Sequence, residues 1–140
     1  NYAQKYKIPF LLINTKKKNY ENKVLNHLKK NKIYLICLAG YMKIIPKRII
    51  NNFKGKIINI HPSILPAFRG LNAVKQAIEK KVKYTGCTIH YVSEKLDSGK
   101  IIAKKKVKIF KKDTVKRLEK RVLKEENKLY PLVLEKLVRS

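Results

Sequence analysis

Acidic side chains are scarce in this chain. Nine Asp and Glu stand against 35 Lys and Arg, a formal charge of +26, and only two of the nine are aspartates, Asp97 and Asp113. Cysteine is almost as rare: Cys37 and Cys87 lie far apart in apolar segments, which excludes a disulfide framework and leads us to expect two buried thiols in a reducing compartment. No run approaches the roughly 18 apolar residues that a membrane-spanning helix requires. Nothing at the start resembles a signal peptide, so the expectation is a cytoplasmic protein without membrane association. Arginine is scarce as well, five of the 35 basic residues. It is the better bidentate reader of phosphates and bases, so its shortage argues against a dedicated nucleic-acid surface. The lysines are spread along the chain among many Ile and Asn, a pattern of compositional bias rather than of a binding patch. A basic RNA-binding remnant stays open as the non-enzyme alternative.

The 140 residues suit one domain. Residues 1–7 read as the last turns of a helix, broken by Ile8-Pro9, and residues 10–13 as a short apolar strand. The chain is therefore expected to be a fragment that starts inside its domain. Apolar spacing at Tyr20, Val24, Leu25 and Leu28 predicts a helix over 20–30, with His27 on its surface. The continuous apolar run 33–39 predicts a parallel strand buried on both faces, ended by Gly40. Pro46 suits the first turn of a helix through Asn52. Strand 57–60, helix 71–80, strand 84–92, strand 101–110 and a last helix toward Val138 follow. Asp113-Thr114 should cap that helix, and Pro131 should kink it. The alternation predicts an α/β sheet, mostly parallel, turning antiparallel toward the C-terminus.

Residues 57–66 read Ile-Ile-Asn-Ile-His-Pro-Ser-Ile-Leu-Pro. On a strand, Asn59 and His61 share one face while Ile58 and Ile60 take the other. A polar pair then emerges at the strand's C-terminal end, where open α/β sheets place their ligands. Asp113 has a structural explanation as a helix cap; Asp97, in the turn Leu-Asp-Ser-Gly, has only that of an Asx turn. An amide donor, an imidazole and a carboxylate able to orient that imidazole are the parts needed to move an acyl group. The apolar stretch Met42, Ile44, Ile45 suggests a slot for a flat ligand, or packing against the next helix.

Asn-Ile-His-Pro-Ser-Ile-Leu-Pro followed by Leu-Asp-Ser-Gly resembles the folate-dependent formyltransferase family. Leu-Ala-Gly-Tyr-Met at 38–42, Gly-Cys-Thr-Ile-His-Tyr-Val at 86–92 and Glu-Asn-Lys-Leu-Tyr-Pro-Leu-Val at 126–133 are most similar to its purine-pathway branch. The resemblance implies a Rossmann-like formyltransferase fold, incomplete at the N-terminus, over residues 1–140. It implies transfer of a formyl group from 10-formyltetrahydrofolate to the amine of glycinamide ribonucleotide, without a metal.

By the same resemblance Asn59 and His61, the latter as imidazolium, would donate to the formyl oxygen, and Asp97 would help relay the amine's proton. Met42, Lys43, Ile44 and Ile45, with Ser93, Glu94, Leu96 and Asp97, would enclose the folate. Asn59, Thr88, His90, Glu126 and Lys17 would contact the ribonucleotide, Glu126 at the ribose hydroxyls; for His90 a core role is equally open. The Leu65-Pro66 bond should be cis.

The family's glycine- and serine-rich phosphate loop is absent from this chain. Asn72 and Val74 stand where many members carry histidines, and Lys17 where an arginine often lies. The implied partners are small molecules, with no specific nucleic acid, and the expected state is a monomer or weak homodimer. The branches that formylate methionyl-tRNA or hydrolyse formyltetrahydrofolate share the Asn, His and Asp and remain alternatives.

Overall fold

The computed structural model describes residues 2–139. Its elements are α1 (Tyr2–Lys5), α2 (Tyr20–Lys30), β1 (Leu35–Leu38), α3 (Lys47–Asn52), β2 (Lys56–His61), α4 (Ala73–Glu79), β3 (Tyr84–Tyr91), β4 (Ile101–Lys108) and α5 (Val115–Arg139). The four strands form one sheet in the order β1-β2-β3-β4. β1 pairs with β2 in parallel, while β2–β3 and β3–β4 are antiparallel. The α/β class is as expected, with a smaller parallel share among the described residues than strand–helix alternation suggested. The reversal comes early, because β3 enters beside the end of β2, His61 opposite Thr88, and runs back along it.

Alternation sorts the side chains of β2 and β3 onto two faces. Ile58, Ile60, Cys87 and Ile89 join Val74 of α4 and Leu118, Val122 and Val133 of α5 in the core. Burying side chains of this size stabilises the fold by about 2 kcal/mol each. The opposite face carries Asn59, His61, Thr88 and His90, in cross-strand register Asn59 with His90 and His61 with Thr88. Thr114 begins α5: its Oγ1 accepts from Arg117 N (3.2 Å) and its carbonyl from Leu118 N (3.0 Å). Asp113, expected to cap with it, instead takes a fork from Arg121 at 2.7 and 2.8 Å and accepts from Phe110 N. That fork pushes the Asp113 carboxyl down to about 2. Helix α5 runs on through Pro131, and Tyr130 Oη donates to Leu38 O at 2.8 Å, tying the helix to the end of β1.

Two expectations are corrected. Residues 10–13 form no strand and are largely exposed, Leu12 at 86%. A strand needs a neighbour for its backbone groups, and no described strand pairs with this stretch. The run 33–39 contributes only β1, which is the edge of the described sheet; Cys37 on it is exposed rather than buried, whereas Cys87 is fully buried. Burial, reinforced by the charges of Glu126 and Glu125, pushes the Cys87 thiol up to about 12. Helix α1 falls where a helix end was read, Asn1 lying outside the described residues. His27 sits at the surface beside Asn31.

Candidate active site

β2 outruns β1. Leu38 is paired with Asn59, so Ile60 and His61 extend past the edge strand, and residues 40–45 fold over the space left. Asp97 reaches it from the loop between β3 and β4. His61 Nδ1 lies 3.4 Å from Asp97 Oδ2, both side chains under a tenth exposed. His61 Nε2 is 2.8 Å from the carbonyl of Phe68. A carbonyl can only accept, so Nε2 carries the proton. In the neutral ring Nδ1 then has a lone pair facing a carboxylate, and protonating Nδ1 turns that contact into an ion pair.

Asp97 lies between two imidazoles. Its Oδ1 is 3.6 Å from His90 Nε2, and His90 Nδ1 donates to Tyr91 O at 2.9 Å. Asn59 Nδ2 is 3.5 Å from His90 Nε2, a long contact that turns the amide's donor end toward the centre. The second N–H of that amide is left for a ligand. Gly70 N donates to Asp97 Oδ2 at 2.8 Å, so residues 68–70 hold both members of the pair. Phe68 and Asp97 have φ of +56° and +46°. Such left-handed backbone costs about 1 kcal/mol or more for a bulky residue and is found where a site requires it. Gly99 closes the Asp97 turn against β3, where a Cβ would collide with the Tyr91 carbonyl oxygen.

Two openings meet at this centre. A small slot is lined by Leu38, Ile44, Ile45, Val92, Leu96 and Asn59, with Lys43, Ser93 and Glu94 also bordering it. Glu94 is anchored by Lys47 (3.0 Å) and Asn51 (3.1 Å), and its carboxyl is held below the usual range by those bonds. A larger cavity of about 440 Å³ takes in Met42, Asn59, His61, Gly70, Asn72, Asp97 and Glu126. Glu126 has no hydrogen-bond partner among the described residues, and burial pushes its carboxyl up. A carboxylate so placed is an acceptor open to ligand hydroxyls.

Asn59, His61, Asp97, His90, Glu126 and residues 42–45 are thus brought together. Thr88 is not available to a ligand: it is fully buried, donates to Ser63 O at 2.7 Å and accepts from Leu65 N at 3.1 Å. Its hydroxyl is used up holding the loop after β2, which corrects the expected substrate contact. Lys17 lines a neighbouring groove with Lys16, Lys18 and Arg48 rather than the cavity of Asn59. Ser93 turns to Lys95 O and Ser98 within its own loop. The sequence pointed to none of the backbone groups of Phe68 and Gly70, because backbone hydrogen bonding leaves no residue-type signal. The Leu65-Pro66 bond is cis, as expected. Among the described residues no cluster of His, Cys, Asp or Glu suits a metal ion, and no helix is long and apolar enough to cross a membrane.

Fold and site define an α/β protein with an amide, an imidazole and a carboxylate gathered where a parallel strand pair ends. The chain belongs to the formyl transferase family, whose model matches residues 1–134. It is 46% identical over 127 residues to the phosphoribosylglycinamide formyltransferase of Bacillus subtilis (strain 168), covering 86% of this chain and 65% of that protein. It is 39% identical over 137 residues to the human trifunctional purine biosynthetic protein adenosine-3, covering 95% of this chain and 14% of that protein. The crystal structure of phosphoribosylglycinamide formyltransferase from Bacillus halodurans superposes with a TM-score of 0.91 at 41% identity, over 97% of this chain and 72% of that one. The chain thus spans just under two thirds of the Bacillus subtilis protein and about a seventh of the human one.

Proposed function

We propose that this chain is one formyltransferase domain, and that it moves a formyl group from 10-formyltetrahydrofolate to the amine of glycinamide ribonucleotide, a step of purine biosynthesis carried out in the cytoplasm by a monomer or weak homodimer. The observation that carries the reading is the convergence of Asn59, His61 and Asp97 at the head of a cavity that also holds Glu126. The names of the Bacillus and human relatives support the substrate pair.

The chemistry follows from the groups present. The amine nitrogen attacks the formyl carbon, and the carbonyl oxygen takes the negative charge of a tetrahedral intermediate. The free N–H of Asn59 donates to that oxygen. His61 donates from Nε2, whose N–H at rest is donated to Phe68 O. Asp97 keeps the ring oriented and, through water, passes the amine's proton toward the folate nitrogen. The bond between that nitrogen and the formyl carbon then breaks, giving the formamide and tetrahydrofolate. No step requires a metal.

The folate ring occupies the apolar slot between residues 42–45 and residues 93–97, with the backbone groups of Met42, Lys43 and Ile45 at its rim. Glu126 accepts from the ribose hydroxyls. His90 acts behind Asn59 and Asp97, orienting both. Lys17, one groove away, adds positive field for the anionic substrate rather than a direct contact.

The test is product analysis with labelled 10-formyltetrahydrofolate and glycinamide ribonucleotide. Label on the ribonucleotide amine supports the proposal; label released only as formate favours the hydrolytic branch of the family.

A further inference from the structure

One short charged contact lies at the loop that follows β2. Lys104 Nζ, from β4, lies 2.6 Å from the carbonyl oxygen of Leu65. Register shows why a lysine can reach there: His61 is paired with Thr88, and Thr88 with Lys104. Directly paired residues point to the same face of a sheet, so the three form one polar row across β2, β3 and β4. Residues 62–70 lie over this row. Thr88 holds the loop at Ser63 O and Leu65 N, Ser63 Oγ donates to Ala67 O, and Lys104 holds Leu65 O. The far end of the same loop carries Phe68 O on His61 and Gly70 N–H on Asp97.

We propose that Lys104 is a positioning residue for His61: its ammonium fixes the near end of the loop over residues 62–70, so that Phe68 and Gly70 hold the imidazole and the carboxylate in register. Only the kinetic readout of this role rests on the formyl-transfer reading. Leu65 offers its N–H to Thr88 and its carbonyl to Lys104, so its peptide groups are gripped from two adjacent strands. Removing the cation leaves the buried Leu65 and the half-exposed loop around it held from β3 alone. A charge-assisted bond of this kind contributes about tenfold when broken. A shift of the loop then reaches His61 through Phe68 O, with no contact between Lys104 and any substrate.

Lys104→Met keeps the stem and removes the donor; Lys104→Arg restores a cation with donors. Lys106→Met is the control, a lysine of the same strand and face without a loop contact. Expected for Lys104→Met are a kcat lower by roughly tenfold with KM unchanged, and loss of the exchange-protected His61 ring N–H signal in 15N NMR. Lys104→Arg should recover both, and Lys106→Met should alter neither. Wild-type kcat and a retained ring N–H signal in Lys104→Met, or equal effects of Lys104→Met and Lys106→Met, would overturn the proposal. If Lys104→Met does not fold, Lys104→Leu, which also lacks a donor, is read against the same two outcomes. If the wild-type chain transfers no formyl group, the functional reading fails by itself, and the ring N–H comparison alone decides the role of Lys104.

Discussion

The strand pair β2–β3 around His61 and the stretch before α2 are both rich in apolar and aromatic residues, and the structure treats them in opposite ways. In that pair and the loop after it, Ile58, Leu65 and Ile89 are almost fully buried, and His61, Thr88, His90 and Asp97 are bonded to their neighbours. In residues 2–13, Tyr2, Tyr6, Ile8, Phe10, Leu11 and Leu12 are all more than half exposed. Hydrophobic content does not separate the two regions. Pairing does: β2 and β3 have neighbours on both sides, while residues 8–14 have no strand beside them among the described residues. Apolar surface is buried where backbone groups are satisfied at the same time, and an apolar run without a backbone partner gains only part of that benefit.

The sharpest way to break this contrast is chemical. Removal of one donor to a developing oxyanion costs about 100- to 1000-fold in rate, so Asn59→Ala and His61→Ala should each lose nearly all formyl transfer in steady-state assays while remaining folded. Near-normal turnover in either would remove the site from the account.

Next in size is the packing contrast. Leu118, at 0% exposure, should cost about 2–5 kcal/mol on truncation to Ala, read by urea unfolding. Leu12→Ala, at 86% exposure, should stay within about 0.5 kcal/mol. Equal losses would mean that residues 2–13 are packed in solution.

Glu126→Gln should raise the KM for ribonucleotide roughly tenfold with little change in kcat, since it weakens charge-assisted bonds. In the wild type that KM should rise as pH falls through the raised value of the Glu126 carboxyl, because protonation removes the charged acceptor. The substitution should flatten this dependence. Stability moves the other way: ionising a carboxyl whose value is raised on folding costs stability. That cost is absent below the ordinary value of 4.5 and complete above the folded one.

The smallest effect concerns Asp113 and Arg121, at the start of α5. The carboxyl is held at about 2 against an ordinary 3.8, so the pair's contribution is present in full above 3.8 and disappears as pH falls through about 2. The melting-temperature gap between wild type and Arg121→Ala should therefore close over that interval. A gap independent of pH would assign Arg121's role to its stacking on Phe110, 4.6 Å from the ring centroid.

Much of the fold was legible, since period-two alternation in residues 57–61 and 84–91 is enough to put Asn59, His61, Thr88 and His90 on one face. Helices α2 and α5 followed from spacing and from Thr114. What was not legible depends on partners distant in sequence. Cys37 and residues 10–13 have the composition of buried strands, and only the sheet order shows one to be at an edge and the other unpaired. Alternation puts Thr88 on the face it occupies but does not reveal that it holds a loop, because a hydroxyl facing a site looks the same in sequence whether it meets a ligand or a loop. Lys104 was invisible for a different reason: it stands in the run Lys104-Lys105-Lys106, and nothing in a lysine-rich chain marks the one whose ammonium is engaged.

The central claim is that Asn59, His61 and Asp97 together deliver a formyl group to an amine. Single-turnover transfer from labelled 10-formyltetrahydrofolate to glycinamide ribonucleotide, run on wild type and Asp97→Asn with folate binding measured in parallel, tests it most directly. Label should appear on the ribonucleotide in the wild type, and Asp97→Asn should bind folate without transfer. Equal transfer by the two proteins, or formate as the sole labelled product of the wild type, would contradict it.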